Sequence, residues 1–144
     1  MVNLVFASDH AGVELKTILI KALSESNYSV KDLGPSSKDS VDYPDYAHPL
    51  AQSIDSSFSD LGILICGSGN GVCMTANKYA NVRAALCWEP SIAALARQHN
   101  NANVICIPAR FVSMDSAIEI MQTFLNTAFE GGRHERRVQK IACS

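Results

Sequence analysis

The stretch LGILIC at residues 61–66, followed directly by GSGNG at residues 67–71, decides the fold of this chain. An apolar run without polar alternation is typical of a strand buried on both faces, as in a parallel sheet. The glycines of the second segment break the strand in a tight turn, and a helical pattern runs from about Val72 to Tyr79. A strand, a glycine-rich turn and a helix in this order predict one unit of a parallel α/β fold.

Strand-length apolar runs alternate with segments of helical period on both sides of this unit. The other strands are predicted at residues 2–8, 28–34, 82–88 and 103–109, and the other long helices at residues 11–26, 44–58, 89 to about 99, and 114–129. A polar loop is predicted at residues 35–42, and Gly131-Gly132 separates the last long helix from a short one. The chain is therefore predicted to form a single α/β domain, residues 1–144, with a doubly wound five-stranded parallel sheet, helices on both faces and an extra C-terminal helix.

The composition narrows the class of protein. With 47% hydrophobic and 18% charged residues, the chain is too apolar to be disordered. A net charge of −2 gives no electrostatic reason to expect a nucleic acid or an anionic membrane as partner. No apolar run approaches the ~18 residues of a membrane span, and the first ten residues lack the basic start of a secretory signal. We expect a cytoplasmic protein that binds neither membrane nor nucleic acid.

Five cysteines are present, an odd number at spacings unlike those of a disulfide framework: Cys66, Cys73, Cys87, Cys106 and Cys143. We expect reduced thiols and no metal, because there is no C-x-x-C pair and the four histidines do not flank the cysteines at zinc-ligand spacing. Cys87 and Cys106 lie in the apolar runs AALCW and NVICI and are predicted to be buried, inert thiols. Cys66 differs, because it ends a strand and opens the glycine-rich loop.

Polar residues gather where the predicted strands end. In parallel α/β sheets ligands bind beyond the carboxyl ends of the strands. Asp9 and His10 follow the first strand, and Arg110 follows the fifth. We expect one site at this end of the sheet, formed by Asp9, His10, Cys66, His99, Asn100 and Arg110, with His99 and Asn100 contributed by the end of the helix after the fourth strand.

The loop from Gly67 to Gly71 favours an anionic ligand. Glycine lets a ligand approach the main chain closely, and the amides at the following helix start then face it. The loop is not a Walker A sequence, and it follows the third strand rather than the first, which argues against a dinucleotide. The remaining alternative is a tight turn without a ligand. Beside these amides Cys66 can act as a nucleophile or as a base, because nearby N–H groups stabilise a thiolate.

The C-terminal segment carries three of the six arginines of the chain. Arg133 and Arg137 are four residues apart and would face the same way on a helix, while Arg136 points elsewhere. Two guanidinium groups on one face suit a phosphate, because each offers paired donors in a planar fork. The alternative is a solvated basic tail.

These residues form an ordered series of motifs along nearly the whole chain. The series comprises Asp9-His10, Asp42-Tyr43-Pro44, GILICGSGNG at residues 62–71, Ala76-Asn77-Lys78, Arg97-Gln98-His99-Asn100, Arg110 and Glu130-Gly131-Gly132-Arg133-His134. In this series the chain resembles the type B ribose-5-phosphate isomerases, a family that includes galactose 6-phosphate and allose 6-phosphate isomerases. The resemblance implies a Rossmann-like domain that forms homodimers or homotetramers, without a metal or organic cofactor.

The resemblance also implies the reaction and the residues that perform it. D-ribose 5-phosphate and D-ribulose 5-phosphate would interconvert through a cis-enediolate, as in the non-oxidative branch of the pentose phosphate pathway. Cys66 would move the proton between C2 and C1, and His99 would protonate the ring oxygen to open the furanose ring. The substrate would be bound by Asp9, His10, Gly67, Ser68, Gly69, Asn70, Gly71, Asn100, Arg110, Arg133, His134 and Arg137. The site would be shared, with the C-terminal segment 131–144 reaching a partner subunit.

Departures from the family pattern are few. Ser68 stands where many cysteine-type members have threonine, so the hydroxyl is kept. A second branch of the family uses a glutamate just after the glycine loop, whereas Val72 here cannot accept a proton, so the chain fits the cysteine branch. Asn70 is more typical of the second branch. Two alternatives stay open: the same chemistry on a six-carbon sugar phosphate, and a non-catalytic phosphosugar-binding module.

Overall fold

Five parallel strands form the centre of the fold in a computed structural model that describes residues 2–143; Met1 and Ser144, the two ends of the predicted domain, lie outside the described residues. The strands are β1 (Asn3–Ser8), β2 (Ser29–Asp32), β3 (Leu61–Cys66), β4 (Ala84–Leu86) and β5 (Val104–Pro108). Their order in the sheet is β2-β1-β3-β5-β4, and every neighbouring pair is parallel. This confirms the predicted five-stranded parallel sheet, although β4 has three residues rather than the seven predicted.

Six α-helices are described within residues 2–143: α1 (Val13–Ala22), α2 (Pro44–Asp55), α3 (Asn70–Ala76), α4 (Pro90–Asn100), α5 (Met114–Asn126) and α6 (Arg133–Gln139). Several predicted helices are shorter than the pattern indicated. Residues His10–Gly12 form a 3₁₀ turn before α1, because the Asp9 carboxylate accepts the amides of Ala11 and Gly12. The chain leaves α2 at Asp55, and the side chain of Phe58, the predicted end, is fully exposed. None of the described helices is long and apolar enough to span a lipid bilayer.

Side chains alternate along the strands and build one apolar core on each face of the sheet. Leu4, Ile63 and Ile105 point into the first core, which α1, α4 and α5 cover. Val5 and Leu64 point into the second core, which α2 and α3 cover. Because both faces are covered, the strands read as nearly continuous apolar runs. The helices therefore lie on both sides of the sheet, as predicted.

Cys87 and Cys106 are fully buried, one in each core, which confirms their predicted place. Burial disfavours a charged thiolate. It raises the pKa of Cys87 to about 12. Burial also raises the pKa of Cys106 well above its usual range. Neither thiol is available as a base at neutral pH.

The direction of the helices divides the functional residues between two ends of the sheet. The carboxyl end is where the strands finish, at Ser8, Cys66 and Pro108, and the amino end is where they begin. Each helix returns against the strand direction, so α4 starts at the carboxyl end and finishes at the amino end. The residue Asn103 after α4 confirms this, because its carbonyl accepts the Gly62 amide at 2.9 Å, next to the start of β3. A strand of six residues such as β3 separates the two ends by roughly 17 Å.

Candidate active site

A cavity of about 410 Å³ opens at the carboxyl end of the sheet. It is lined by Asp9, Tyr43, Cys66, Gly67, Ser68, Gly71, Arg110 and Phe111. Six of these residues belong to the predicted site, and they come from the ends of β1, β3 and β5. The strand ends therefore meet as a parallel sheet requires, and the cavity is our candidate active site.

Cys66 is the last residue of β3, and only 4% of it is exposed. The Gly69 amide donates a hydrogen bond to its Sγ at 3.1 Å. An amide aimed at sulfur stabilises a thiolate more than a thiol, because hydrogen bonds to a charged group are stronger. The carbonyl of Cys66 accepts the Ala109 amide at 2.9 Å, which fixes the start of the loop against the end of β5. The thiol is thus held in place by its own loop.

The glycine-rich loop folds back on itself instead of presenting every amide to the cavity. The Gly69 amide is used by Cys66, and the Asn70 amide donates to Ser68 Oγ at 3.3 Å. Gly71 lies under the ring of Tyr43, since a Cβ atom at Gly71 would stand 2.5 Å from Tyr43 Cε1. We therefore assign Gly69 and Asn70 to holding the thiol and the Ser68 hydroxyl, rather than to direct contact of their amides with a ligand.

Gly69 adopts a left-handed backbone conformation, with φ of 76°, and a Cβ atom there would overlap Leu86 Cδ1. We expect Gly69→Ala to destabilise the protein by about 3 kcal/mol, from backbone strain together with overpacking. Gly131 is a matched control, because its φ is 69° and its Cβ position is open. Gly131→Ala should cost about 1 kcal/mol, from backbone strain alone. Urea unfolding measures both, and equal costs would contradict the packing against Leu86.

Asp9 and His10 are placed by local hydrogen bonds. Asp9 Oδ1 accepts the amides of Ala11 at 2.9 Å and Gly12 at 3.2 Å, which caps the 3₁₀ turn. His10 Nδ1 accepts the Val41 amide at 3.2 Å. Because an amide only donates, the neutral His10 ring carries its proton on Nε2. Asp9 lines the cavity, while His10 lies next to it, outside the lining residues.

Arg110 brings a positive charge to the cavity. Its guanidinium lies over the loop, and a Cβ atom at Gly67 would stand 3.0 Å from Arg110 Nη1. The Arg110 amide donates to the Gly67 carbonyl at 3.0 Å, so the side chain is anchored by the main chain beneath it. A cation that lines the cavity favours an anionic ligand there.

Tyr43 and Phe111 line the cavity, and the sequence did not single them out as site residues. Both rings are substantially exposed, by 41% for Tyr43 and 74% for Phe111. Tyr43 belongs to the motif Asp42-Tyr43-Pro44, but neither spacing nor polarity indicated that its ring covers Gly71. An exposed aromatic ring beside a polar cavity indicates a binding surface, but this arrangement is visible only in the folded chain.

The prediction that one end of the sheet carries the whole site is wrong for His99 and Asn100. Both lie in the last turn of α4, at the amino end of the sheet, and neither lines the cavity. The physical reason is that a helix following a strand runs back, so its C-terminus lies opposite the end of that strand. Arg133, His134 and Arg137 on α6 lie beside α4, outside the cavity as well.

At the amino end, His99 and His134 form a stacked pair with ring centroids 4.2 Å apart and planes 11° from parallel. His134 Nε2 lies 3.5 Å from Glu130 Oε1, and His134 is 7% exposed. Burial and the neighbouring charges of His99 and Arg133 lower the pKa of His134 below its usual range. The lowered pKa favours the neutral form of the His134 imidazole.

The donor atoms of His99, Glu130 and His134 lie within 4.8 Å of one another, which raises the question of a metal. The lone pairs of an imidazole lie in the plane of its ring, and a shared metal needs them to converge on one point. The nearly parallel rings direct them side by side instead. The geometry thus fits a stacked pair of side chains and not a metal centre.

Arg133 and Arg137 begin and continue α6, and both are exposed. At about 100° per residue, they lie some 40° apart around the helix, while Arg136 lies roughly 160° from His134. The side of α6 that carries His134 packs against α4. Arg133 and Arg137 both lie to one side of His134, about 100° and 60° around the helix, whereas Arg136 points away from it. The amino end thus carries two stacked imidazoles and two exposed guanidinium groups.

Comparisons with known proteins extend over nearly the whole chain. Residues 4–141 match the family model described as Ribose/Galactose Isomerase. A probable ribose-5-phosphate isomerase B from Mycoplasma pneumoniae is 53% identical over 136 residues, covering 94% of this chain and 90% of that protein. The crystal structure of a ribose 5-phosphate isomerase from Thermotoga maritima matches with a TM-score of 0.94 and 50% identity, covering 98% of this chain and 97% of that one. Ribose-5-phosphate isomerase B from Mycoplasma genitalium, solved with bound ribulose-5-phosphate, matches with a TM-score of 0.94 and 50% identity over 97% of this chain and 93% of that one.

Proposed function

The chain belongs to the ribose/galactose isomerase family, and from this membership we infer that it interconverts D-ribose 5-phosphate and D-ribulose 5-phosphate. It is an aldose–ketose isomerase, and its resemblance to the type B ribose-5-phosphate isomerases is confirmed. The observation that carries the mechanism is the Cys66 thiol, held at the cavity by the Gly69 amide.

Cys66 is the base of this mechanism. After the sugar ring opens, Sγ takes the proton from C2, and the electron pair of that C–H bond forms the C1–C2 double bond of an enediolate. The carbonyl oxygen at C1 becomes an oxyanion and takes up a proton, while the C2 hydroxyl loses one. Return of the proton from Sγ to C1 then gives the ketose. A base must lie within hydrogen-bond reach of the proton that it takes, and the Gly69 amide holds Cys66 Sγ at the cavity for this purpose.

The oxyanion of the enediolate needs donors that already point at it. Preorganised N–H and O–H donors in a site shielded from water lower the barrier most, because they need no reorganisation as charge develops. Ser68 and Gly71 line the cavity together with Cys66, and we assign the Ser68 hydroxyl and the Gly71 amide as these donors. Asp9 also lines the cavity, and we assign its carboxylate to accepting hydrogen bonds from sugar hydroxyls.

A single chain cannot bring every proposed group to one substrate. Six bonds connect C1 of ribose 5-phosphate to phosphorus, so the two atoms are at most ~9 Å apart. The two ends of the sheet are roughly 17 Å apart, with Cys66 at one and His99 at the other. In a two-fold symmetric dimer, each carboxyl end can face the partner's amino end, and both sites are then equivalent. We assign ring opening to the partner subunit's His99, sugar contact to the partner subunit's Asn100, and phosphate contact to the partner subunit's Arg133 and Arg137 together with Arg110.

The assignment of Arg137 to phosphate predicts a specific kinetic change. Loss of a charge-assisted hydrogen bond costs about 1.5–3 kcal/mol, so Arg137→Ala should raise KM for ribose 5-phosphate about 10- to 100-fold. The value of kcat should change little, because the phosphate does not react. Arg136→Ala, on the far side of α6, should leave KM unchanged. Steady-state kinetics of the Arg137→Ala and Arg136→Ala variants tests this assignment. An unchanged KM for Arg137→Ala would show that Arg137 does not bind the phosphate.

The substrate itself is tested by comparing sugar phosphates. Relative kcat/KM values on ribose 5-phosphate, allose 6-phosphate and galactose 6-phosphate should favour ribose 5-phosphate. A preference for either six-carbon substrate would overturn the substrate assignment but not the proton transfer. A non-catalytic binding module would exchange no C2 proton of ribose 5-phosphate with solvent deuterium.

We place the reaction in the cytoplasm. All five cysteines are free thiols, including the half-buried Cys73 and the exposed Cys143. Unpaired thiols suit a reducing compartment, since an oxidising one converts exposed pairs to disulfides. Sugar phosphates are also substrates that a cell retains inside its membrane.

A further inference from the structure

His134 and Glu130 are not explained by the phosphate assignment that the family resemblance implies for His134. The side chain of His134 is only 8% exposed, so little of it can meet a ligand. One face of its ring is covered by His99, and its Nε2 is directed to Glu130. These contacts point towards His99 rather than towards a phosphate.

We propose that His134 and Glu130 are positioning residues that hold the His99 imidazole in the orientation needed to protonate the ring oxygen of ribose 5-phosphate. This proposal rests on the proposed function and names two residues through which its ring-opening step works. It assigns no contact with the reacting atoms to either residue.

Stacking is well suited to this task. A general acid must aim one N–H group at its target within hydrogen-bond reach. A hydrogen bond to His99 would fix the ring but use one of its nitrogens. The flat face of His134, with its ring centroid 4.2 Å away, fixes the plane of the His99 ring without using either of its nitrogens. The neutral state of His134 also matters, because two protonated rings at this distance would repel each other.

A continuous series of contacts connects His99 and its neighbour Gln98 to Glu130 and His134. The Glu130 amide donates to the Gln98 carbonyl at 3.1 Å, directly beside His99 on α4. The Glu130 carboxylate meets His134 Nε2, and the amide of His134 donates to the Gly131 carbonyl at 3.1 Å. The stacking of His134 on His99 completes this series of contacts. A closed set of contacts holds a side chain more rigidly than a single contact does.

Comparing the two substrates of the reaction distinguishes a role in ring opening from a role in proton transfer or binding. Ribose 5-phosphate closes a five-membered ring and must be opened before C2 can lose its proton. Ribulose 5-phosphate carries its phosphate on the C5 oxygen, has no hydroxyl there to close such a ring, and stays open. Exchange of a C1 proton of ribulose 5-phosphate with solvent deuterium therefore needs Cys66 but no ring opening.

The test compares His134→Ala with His134→Phe in the full-length enzyme. General acid catalysis contributes about 10²–10⁴-fold, so loss of the acid's orientation in His134→Ala should lower kcat on ribose 5-phosphate about 10- to 100-fold. His134→Phe keeps a flat ring against His99 and should restore most of that loss. In both variants, exchange at C1 of ribulose 5-phosphate should stay within about threefold of wild type, because the base and the phosphate site are unchanged. Glu130→Gln keeps an acceptor for His134 but removes the charge, and should show a smaller decrease on ribose 5-phosphate only.

Several results would overturn the proposal. Equal decreases on ribose 5-phosphate and in ribulose 5-phosphate exchange would indicate general damage to the site. A rise in KM for both substrates would indicate that His134 binds phosphate. If kcat on ribose 5-phosphate were no higher for His134→Phe than for His134→Ala, stacking would not be the role of His134. Thermal unfolding monitors folding, and if His134→Ala does not fold, His134→Phe and Glu130→Gln carry the same comparison. Failure of the proposed function itself looks different, since the wild-type enzyme would then exchange neither substrate.

Discussion

Replacing Cys66 by alanine is expected to lower kcat/KM for ribose 5-phosphate by about 10³-fold, the middle of the range that a general base contributes. Alanine removes the sulfur and leaves β3 and the loop amides in place. Val72, which follows the loop, cannot take over as a base. The Cys66→Ala variant should still bind ribulose 5-phosphate with a dissociation constant close to that of wild type, because sugar and phosphate contacts lie elsewhere. Calorimetry measures binding, and an isomerisation assay with deuterium exchange at C1 measures proton transfer.

Cys73→Ala is the matched control for this experiment. Cys73 is in α3, seven residues after Cys66, and its Sγ donates to the Ala84 carbonyl at 3.4 Å. The neighbouring thiol of Cys106 lowers the pKa of Cys73, which makes Cys73 the appropriate cysteine for comparison. Since Cys73 does not line the cavity, Cys73→Ala should keep kcat within about threefold of wild type. Near-normal turnover by Cys66→Ala, or loss of turnover by Cys73→Ala, would remove Cys66 as the base.

The shared site predicts that two inactive variants restore each other. Cys66→Ala lacks the base at the carboxyl end, and His99→Asn lacks the ring-opening acid at the amino end. In a mixed dimer, one site contains both altered residues and the other contains neither. Random pairing of equal amounts makes half of the dimers mixed, so activity should recover to about one quarter of the wild-type value. Each variant alone should stay below ~1% on ribose 5-phosphate, so the recovery is large.

Subunit exchange must be established independently of activity. One variant carries an affinity tag, and mixed dimers are purified after mild denaturation and refolding together. A double variant, Cys66→Ala with His99→Asn, mixed with wild type gives dimers in which each site lacks one group, and those dimers should be nearly inactive. Purified mixed dimers of the single variants that stay as inactive as their parents would show that Cys66 and His99 do not act across the interface.

Much of the carboxyl end could be predicted from the sequence. The unbroken apolar run at residues 61–66 identified a strand covered on both faces, and the structure confirms it as β3. The sequence predicts that Asp9, Cys66 and Arg110 meet, because each lies at the carboxyl end of a strand of one parallel sheet. They do meet, because parallel strands all end on one side.

The sequence correctly places His99 and Asn100 at the end of a helix, but the prediction put that helix end at the wrong end of the sheet. Both lie at the end of a helix, and a helix that follows a strand carries the chain back to the other end of the sheet. The stacking of His99 on His134 could not be predicted in the same way. The two residues are separated by 35 positions, and their contact depends on how α6 packs on α4. The ring of Tyr43 over Gly71 is a similar long-range contact, which local spacing does not encode.

The separation of Cys66 and His99 by the length of the sheet has a consequence at the level of mass action. If each chain holds two half-sites, then the number of working sites depends on how many chains have found a partner. The fraction of chains with a working site then rises with protein concentration until all chains are paired, as in any binding equilibrium. A substitution that weakens the contact between subunits then lowers activity as a loss of catalytic groups does. Dilution alone would also inactivate the enzyme, although every chain stays folded.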